Sequence, residues 1–267
     1  MIEKISKSKI SVIASLGQKK MRQRHRLFSI EGDKSVRDIL FDYPNRFEVE
    51  YIAASAEWLD KNSHSLQEIG LQSDKTYSAD SSELKKASSL STAPDVIAVC
   101  RLPEEDNLEK LLSEREDHTL PLRYYLLLDG IQDPGNLGTI IRTAHWFGID
   151  TIFASRQSAD CYNPKVIQSS MGSMAAVNVI YTDLPKLVDT NPLFPVLGLL
   201  LEGENIYKSA KPGFGFIVMG NEGSGLSEEM RLRVTLPLTI PPADPTNHAE
   251  SLNVAVATGI TLALLKK

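Results

Sequence analysis

The chain has 267 residues, of which 42% are hydrophobic and 24% charged, and its formal net charge is −5. This composition supplies the core of one large domain or of two ordinary ones and argues against long disorder. Only two cysteines occur, Cys100 and Cys161, which excludes a disulfide framework and a paired-cysteine metal site. The N-terminus lacks the apolar run of a signal peptide, and no stretch of about eighteen uninterrupted apolar residues occurs. We therefore expect a cytoplasmic protein with no membrane segment and no metal.

Charge is distributed unevenly along the chain. Residues 1–37 contain ten Lys or Arg and three acids, residues 38–120 contain eight and eighteen, and residues 121–267 contain eleven and thirteen. Five of the bases fall within eight residues: Lys19, Lys20, Arg22, Arg24 and Arg26. Such a cluster predicts affinity for the phosphates of a nucleic acid whatever the net charge of the protein. The alternative interpretation is a solvated helix face.

The first folded unit is predicted over residues 1–102. After a basic helix, the apolar pattern predicts strands at Phe28–Ile30, FEVEYIAAS and DVIAVCRL, with helices at Asp33–Phe41 and near Trp58. Strands that alternate with helices indicate an α/β layer. Residues 103–120 are acidic and lie between two prolines, so we interpret them as a linker with one helical stretch.

The pattern restarts over residues 121–267. Strands are predicted at YYLLLD, TIFA, VLGLLLE, GFIVMG and PLTI, and helices at Asn136–Phe147, at Pro164–Ala176, after Ser227 and at the C-terminus. Strands without polar alternation are covered on both faces, which favours a parallel sheet and a doubly wound α/β domain. Ligands of such sheets bind beyond the carboxyl ends of the strands. The loops after YYLLLD, GFIVMG and PLTI are therefore expected to carry the chemistry.

The first loop leads into a helix that Asn136 is expected to cap. Arg142 lies about 140° from the buried stripe that begins at Leu137, so its side chain is expected off the core. A lone exposed arginine is usually a solvated charge, but this one follows an Asn and two glycines able to position backbone against a ligand.

The second loop, MGNEGSGLSEEM, is rich in glycine, with Asn221 and Glu222 as polar side chains at a strand end. It matches neither a Walker motif nor the dinucleotide fingerprint. The alternative is a simple strand-to-helix turn. The third loop leads into a helix that is apolar on nearly every side, as in a core or a subunit interface. At its start, Ser251 and Asn253 could be ordinary caps.

Together the three loops resemble the SpoU branch of the SPOUT methyltransferases, which transfer a methyl group from S-adenosylmethionine to ribose 2′-hydroxyls of ribosomal or transfer RNA. The first family motif is Asn-x-Gly, an Arg four residues later, then Ala and Phe-Gly, and it is matched here by Asn136, Gly138, Arg142, Ala144, Phe147 and Gly148. The second motif is similar to MGNEGSGLS, and the third is similar to residues 251–254, Ser-Leu-Asn-Val. The N-terminal half resembles the substrate-binding domain of the family through FSIEGDKSVRDIL, though less specifically.

The resemblance implies a C-terminal trefoil knot that cradles a bent cofactor, and a homodimer that brings two knots together. Connections rarely thread one another, so residue patterns alone would argue against a knot. The residues implied to hold S-adenosylmethionine are Gly220, Asn221, Ile240 and Leu252. Those implied to surround the reacting ribose are Asn136, Arg142, Glu222, Ser251 and Asn253. The basic cluster would bind structured RNA, and the terminal apolar helix becomes a candidate interface.

One segment departs from the family pattern. Nine residues separate Pro241 from Ser251, more than is usual, and a Gly expected there is absent. Among them, Pro242, Pro245 and His248 have no assigned role. Ribosomal RNA is the preferred substrate, because the additional N-terminal domain resembles that of ribosomal enzymes. The alternatives are a transfer RNA 2′-O-methyltransferase and a catalytically inactive RNA-binding homologue. A dinucleotide-dependent oxidoreductase is disfavoured by the glycine spacing.

Overall fold

The computed structural model describes residues 2–71, 73–103, 120–244, 246–247 and 249–265. The chain divides into two compact units, one comprising Met1–Glu104 with Tyr162–Ala176 and the other comprising Glu105–Cys161 with Val177–Lys267. The division is therefore not a single cut along the chain. Most of the predicted linker, at residues 104–119, lies outside the described residues, as do Pro245 and His248.

The first unit contains a five-stranded mixed sheet flanked by short helices. Its strands are β1 (Glu3–Lys4), β2 (Leu27–Glu31), β3 (Val49–Ala54), β4 (Thr76–Ser78) and β5 (Val96–Arg101). Its helices before β5 are α1 (Lys7–Ser15), α2 (Lys19–His25), α3 (Asp33–Arg37), α4 (Ala56–Lys61), α5 (Ser63–Glu68) and α6 (Ser81–Ala87). The strand order is β1-β4-β3-β5-β2, in which β5 runs antiparallel to both of its neighbours.

The sequence patterns located the three main strands of this unit. The predicted strand Phe28–Ile30 lies within β2, and the other two predicted segments contain β3 and β5, since each carries a run of buried apolar residues. The predicted helix Asp33–Phe41 begins correctly, but after Arg37 it continues as a π-helix, Asp38–Asp42. The patterns missed α1, α6 and the short strands β1 and β4, although Ser6 and Asp80 cap those two helices through their side chains.

One residue of the basic cluster has a structural role. Arg22 is only 2% exposed, and its Nη1 donates to the backbone oxygens of Leu16, at 2.8 Å, and Gly17, at 3.0 Å. Its guanidinium thus satisfies carbonyls at the C-terminal end of α1 that the helix leaves unpaired. The expectation that Arg22 contacts RNA is therefore corrected, because its charge faces the protein interior.

The second unit contains a six-stranded sheet. Its strands are β6 (Tyr124–Asp129), β7 (Thr151–Ala154), β8 (Asn178–Tyr181), β9 (Val196–Asn205), β10 (Gly215–Gly220) and β11 (Leu236–Thr239). The helices in this part of the chain are α7 (Pro134–Trp146), α8 (Pro164–Ser170, which belongs to the first unit), α9 (Leu184–Asp189), α10 (Glu228–Arg231) and α11 (Val254–Leu265). The order is β11-β9-β10-β6-β7-β8 and every pair is parallel, as predicted.

The helix boundaries in this half required two corrections. Helix α7 begins at Pro134 and is capped by Asp133, whose carboxylate accepts from the backbone N–H of Asn136 at 2.8 Å; Asn136 is therefore not the cap. The helix predicted over Pro164–Ala176 ends at Ser170, because Met171 and Gly172 adopt left-handed φ angles of 50° and 86°. A short 3₁₀ turn follows.

One core cluster of the second unit consists of aromatic and aliphatic side chains that pack together. Tyr125, Phe153 and Phe216 are fully buried, and Phe194 stacks on Phe216 with ring centroids 4.8 Å apart. This packing fixes the strands whose carboxyl ends carry the candidate site. Among the described helices, none is both long and apolar enough to cross a bilayer.

Candidate active site

Two of the three loops identified in the sequence begin side by side. Strands β6 and β10 are neighbours in parallel register, with Asp129 opposite Gly220, so both chains leave the sheet at the same edge. β7 and β8 lie on one side of β6, whereas the later strands β9, β10 and β11 lie on its other side. The strand order therefore reverses between β6 and β10. Such a reversal opens a crevice beyond the carboxyl ends of the strands. A ligand site is expected there on physical grounds alone.

A chain of side-chain hydrogen bonds joins the three loops. The amide Nδ2 of Asn136, on α7, donates to Oε1 of Glu222 at 2.7 Å. The amide Nδ2 of Asn253 donates to Oδ1 of Asn136 at 2.9 Å. The structure thus brings together three of the five residues expected around the ribose, although they lie far apart in the chain. We call this group the Asn136–Glu222–Asn253 cluster.

The loop after β10 is a tight turn built by Asn221. Its Nδ2 donates to the carbonyl of Gly130 at 2.8 Å, and its Oδ1 accepts from the backbone N–H groups of Gly223 and Ser224 at 2.9 and 3.0 Å. Its backbone N–H and C=O pair with Gly225. The side chain of Asn221 is therefore occupied within the protein, and it presents the next residue, Glu222, to the cluster.

Gly220 leaves no room for a side chain. A Cβ atom at this position would lie 2.5 Å from the nitrogen of Leu226 and 2.6 Å from the carbonyl oxygen of Gly225. These are backbone atoms that cannot move without opening the turn. A glycine is required here so that the two ends of the turn can approach each other closely. Only its backbone is available to contact a cofactor.

The start of α11 carries the third loop. Oδ1 of Asn253 accepts from the backbone N–H of Ala255 at 2.9 Å and of Val256 at 3.3 Å, so Asn253 caps the helix and also bonds Asn136. Helix α11 packs against α7, where Gly259 faces Thr143. Ser251 is exposed and lies two residues before this cap.

Arg142 lies on α7 with its side chain exposed. It makes no hydrogen bond or ion pair with any residue that the structure describes. The same helix exposes Trp146, one turn further along, to 84%. A guanidinium without a partner on a rigid helix is free to bind an anion. The structure does not bring Arg142 into hydrogen-bond contact with the Asn136–Glu222–Asn253 cluster.

The apolar residues expected to hold a cofactor are accessible. Ile240 follows β11 and is half-buried, whereas Leu252 lies beside Asn253 and is 49% exposed. In the longer loop between them, Asp244 accepts from the backbone and hydroxyl of Thr246, at 2.8 and 2.7 Å. These hydrogen bonds lower the pKa of Asp244 from its usual value.

Sequence patterns missed the polar contacts beneath the site. The carboxylate of Asp129, the last residue of β6, accepts from the backbone N–H of Ser227 at 2.7 Å. Gly130 has a φ of 73° and donates to Ser155 Oγ at 2.9 Å. The sequence does contain a signal for Asp129, because an acidic residue directly follows a run of apolar residues that form a buried strand. Within the described ranges, no group of three or more His, Cys, Asp or Glu residues is placed to hold a metal.

Comparison with known proteins identifies the class to which this arrangement belongs. Residues 123–263 match the SpoU rRNA methylase family, and residues 7–98 match the MRM3-like substrate binding domain. The chain belongs to the SpoU rRNA methylase family. The family and the enzyme class expected from the three motifs, an RNA methyltransferase, are thereby confirmed, as is the SPOUT fold class of the C-terminal half.

Individual relatives match over nearly their whole length. The chain is 31% identical over 265 residues to the 23S rRNA (guanosine(2553)-2′-O)-methyltransferase RlmP of Bacillus subtilis, covering 97% of this chain and 96% of that protein. A TrmH-family protein of Porphyromonas gingivalis has 32% identity and a TM-score of 0.80 over 98% of both chains. An AdoMet-bound rRNA methyltransferase of Sinorhizobium meliloti, at 24% identity, shares the fold with a TM-score of 0.81, over 99% of this chain and 96% of that one.

The turn after β10 generates a stability prediction. We expect Gly220→Ala to lower the free energy of local unfolding by about 3 kcal/mol, because the added methyl group overlaps backbone atoms. Hydrogen exchange of the backbone amides in β6 and β10 measures the loss. Gly223→Ala is the matched control, since a Cβ there meets only Asn221 Oδ1 at an ordinary 3.6 Å. Equal protection in the two variants would contradict the proposed close crossing.

Proposed function

We propose that the protein transfers the methyl group of S-adenosylmethionine to a ribose 2′-hydroxyl of ribosomal RNA, with the Asn136–Glu222–Asn253 cluster, Arg142 and Ser251 around the acceptor. The observation that carries the proposal is the pair of hydrogen bonds by which Asn136 joins Glu222 and Asn253. It is supported by similarity over nearly the full length to a 23S rRNA 2′-O-methyltransferase.

The residues available fit the proposed cofactor. Ile240 and Leu252 leave apolar surface uncovered next to polar backbone, as needed for a ligand that joins an adenosine to a charged sulfur. Gly220 and Asn221 would contribute through the backbone, because Gly220 has no side chain and that of Asn221 is occupied. When bound, S-adenosylmethionine supplies an electrophilic methyl group. The relative from Sinorhizobium meliloti was solved with this cofactor.

The protein must align the acceptor and help to remove its proton. Alignment alone contributes about 7–11 kcal/mol in favourable intramolecular reactions, and the hydrogen-bonded cluster supplies rigidity for it. An arginine guanidinium has no lone pair that accepts a proton while it is charged, so it is a poor base. The role of Arg142 in our proposal is to bind the neighbouring RNA phosphate and the developing alkoxide. The proton of the 2′-hydroxyl then passes to that phosphate or to a transiently neutral guanidine.

RNA is held in this proposal by the first unit, within residues 1–102. Lys19, Lys20, Arg24 and Arg26 are exposed, which leaves four of the five clustered bases available for phosphates. Contacts of this kind position an RNA by charge and shape and do not read its sequence. Two similarities favour ribosomal RNA over transfer RNA. Nearly the whole chain is similar to a 23S rRNA enzyme, and the first unit matches the MRM3-like substrate binding domain.

We further propose that two copies of the chain associate through α11 and that the protein works in the cytoplasm. Val256 on α11 is 53% exposed, and Trp146 on the adjoining α7 is also largely exposed. Apolar side chains at this density on two packed helices are typical of a subunit interface. Such a dimer would cover the surface next to Arg142.

The catalytic proposal predicts the behaviour of a conservative variant. Arg142→Lys keeps a positive charge but loses the planar fork, so kcat should fall at least about 100-fold with the affinity for S-adenosylmethionine unchanged. Methyl transfer to ribosomal RNA and calorimetric titration with the cofactor measure the two quantities. Arg231→Lys, at another exposed arginine of this unit, should keep wild-type activity. Full turnover by Arg142→Lys would remove Arg142 from the reaction.

The basic cluster predicts a change in salt dependence. Replacing Lys19, Lys20 and Arg24 by Gln should weaken binding to 23S ribosomal RNA and reduce the slope of log K against log salt by about 2, since each phosphate contact contributes about 0.7–0.9. A matched triple variant at the exposed Lys61, Lys86 and Lys208 should leave that slope as it is. An identical slope in both variants would refute this RNA interface.

The dimer proposal predicts that a charge on α11 separates the subunits. Val256→Glu would bury an unpaired carboxylate, so the dimer dissociation constant should rise at least about 100-fold. Sedimentation equilibrium measures it. Leu193→Glu is the control. Leu193 is 78% exposed but precedes β9, so it lies at the amino ends of the parallel strands, whereas the site lies at their carboxyl ends. A monomeric wild-type protein would contradict the proposal.

A further inference from the structure

The segment that follows β7, residues 155–161, contains none of the residues expected around the ribose or the cofactor, yet it contacts the first site loop. Two serines of this segment, Ser155 and Ser158, are buried, with 7% and 9% of their surface exposed. Burial of a hydroxyl costs free energy unless the group is hydrogen-bonded. The partners of these two hydroxyls therefore show what the segment holds in place.

Both hydroxyls bond the backbone of the loop between β6 and α7. The N–H of Gly130 donates to Ser155 Oγ at 2.9 Å. The N–H of Ile131 donates to Ser158 Oγ at 3.1 Å. The two hydroxyl oxygens lie 3.2 Å apart, and Ser158 also donates to the carbonyl of Leu128 at 3.2 Å. With Ser155 donating to Ser158, each hydroxyl donates its single proton and accepts a backbone N–H, so neither side chain leaves a donor unpaired.

The same loop is held from two further directions. The carbonyl of Ile131 accepts from the N–H of Ala159 at 2.8 Å, and the carbonyl of Gly130 accepts from Asn221 Nδ2 at 2.8 Å. All four backbone polar groups of Gly130 and Ile131 are thus bonded within the second unit. The turn that presents Glu222 is one of their partners. These two residues therefore connect the segment after β7 to both of the first two site loops.

A tyrosine anchors the far end of the segment. Tyr181, on β8, donates its hydroxyl to the carbonyl of Ala159 and accepts from the N–H of Cys161 at 2.8 Å. Burial raises the pKa of the Tyr181 phenol above its usual value, so the hydroxyl keeps its proton and remains a donor. The segment is therefore bonded at both ends and can support the loop that it contacts.

We propose that Ser155 and Ser158 are positioning residues for methyl transfer, which act on Asn136 through the loop between β6 and α7. Ile131 lies two residues before Asp133, which caps α7, and five residues before Asn136. The direction in which the loop enters the helix sets where the Asn136 amide meets its two partners. A misplacement of about 1 Å at a reacting site can cost about 100-fold in rate. The inference rests on the proposed function.

The test measures single-turnover methyl transfer by the full-length protein, with S-adenosylmethionine and ribosomal RNA from a strain that lacks this gene. We expect Ser155→Ala and Ser158→Ala each to lower the rate constant about tenfold, with the affinities for RNA and cofactor within about twofold of wild type. Alignment of the acceptor affects the rate, whereas binding depends on other contacts. Titration with each ligand measures the affinities separately.

Thr235→Ala is the matched control. Thr235 Oγ1 also accepts a backbone N–H, that of Val196 at 2.9 Å, but it lies at the amino ends of β9 and β11, away from the site. This variant should keep the wild-type rate constant. An equal loss of rate in Thr235→Ala and the two serine variants would overturn the proposed positioning role.

A double-mutant cycle tests whether the serines act through Asn136. In an Asn136→Ala background, Ser158→Ala should lower the single-turnover rate constant less than about threefold, because the group that it positions is already absent. A full tenfold loss in that background would overturn the proposed route.

The outcomes separate this inference from the function on which it rests. Absence of methyl transfer by the wild-type protein would refute the proposed function and the inference with it. Wild-type turnover with unchanged rate constants in both serine variants would refute only the positioning role. A fall in cofactor affinity as large as the fall in rate would also refute it, because the serines would then serve the fold alone.

Discussion

The side-chain amide of Asn136 holds together three segments that the chain separates widely. Its nitrogen donates to Glu222, 86 residues further on, and its oxygen accepts from Asn253, 117 residues further on. An amide makes both bonds because it carries an N–H donor and a carbonyl acceptor in one plane. A carboxylate here would face Glu222 with like charge, and an alkyl chain would leave both partners unpaired. This junction fixes Glu222 and Asn253 relative to each other.

The junction in turn depends on a turn with almost no freedom. Gly220 admits no side chain, and Asn221 uses its amide, its carbonyl oxygen and its backbone to close the loop. Glu222 therefore leaves the turn in one direction, toward α7. A flexible loop would lose conformational entropy each time a substrate bound. This turn loses that entropy once, when the protein folds, so substrate binding does not have to order it. Rigidity at β10 is thus part of the site.

Apolar runs in the sequence predicted eight of the eleven described strands, and the short strands β1, β4 and β8 were missed. They could not predict that Arg22 is buried, because burial of a guanidinium depends on two carbonyls at the end of α1 that only the folded chain brings near. The boundary at Ser170 was missed because Met171 adopts a left-handed φ without being a glycine. Site residues were named through family motifs. The parallel register of β6 and β10 brings the loops of Asn136 and Glu222 to the same end of the sheet, which spacing in the sequence did not show.

The negative net charge of the chain is compatible with an RNA substrate because charges act locally. Several acids are neutralised where they lie, as Asp38 by Lys34 at 2.8 Å and Asp150 by Arg123 at 2.5 Å. The exposed bases Lys19 and Lys20 have no partner among the described residues. At physiological ionic strength a charge is screened beyond about 8 Å, so a phosphate at these lysines is attracted by them and is little affected by distant carboxylates.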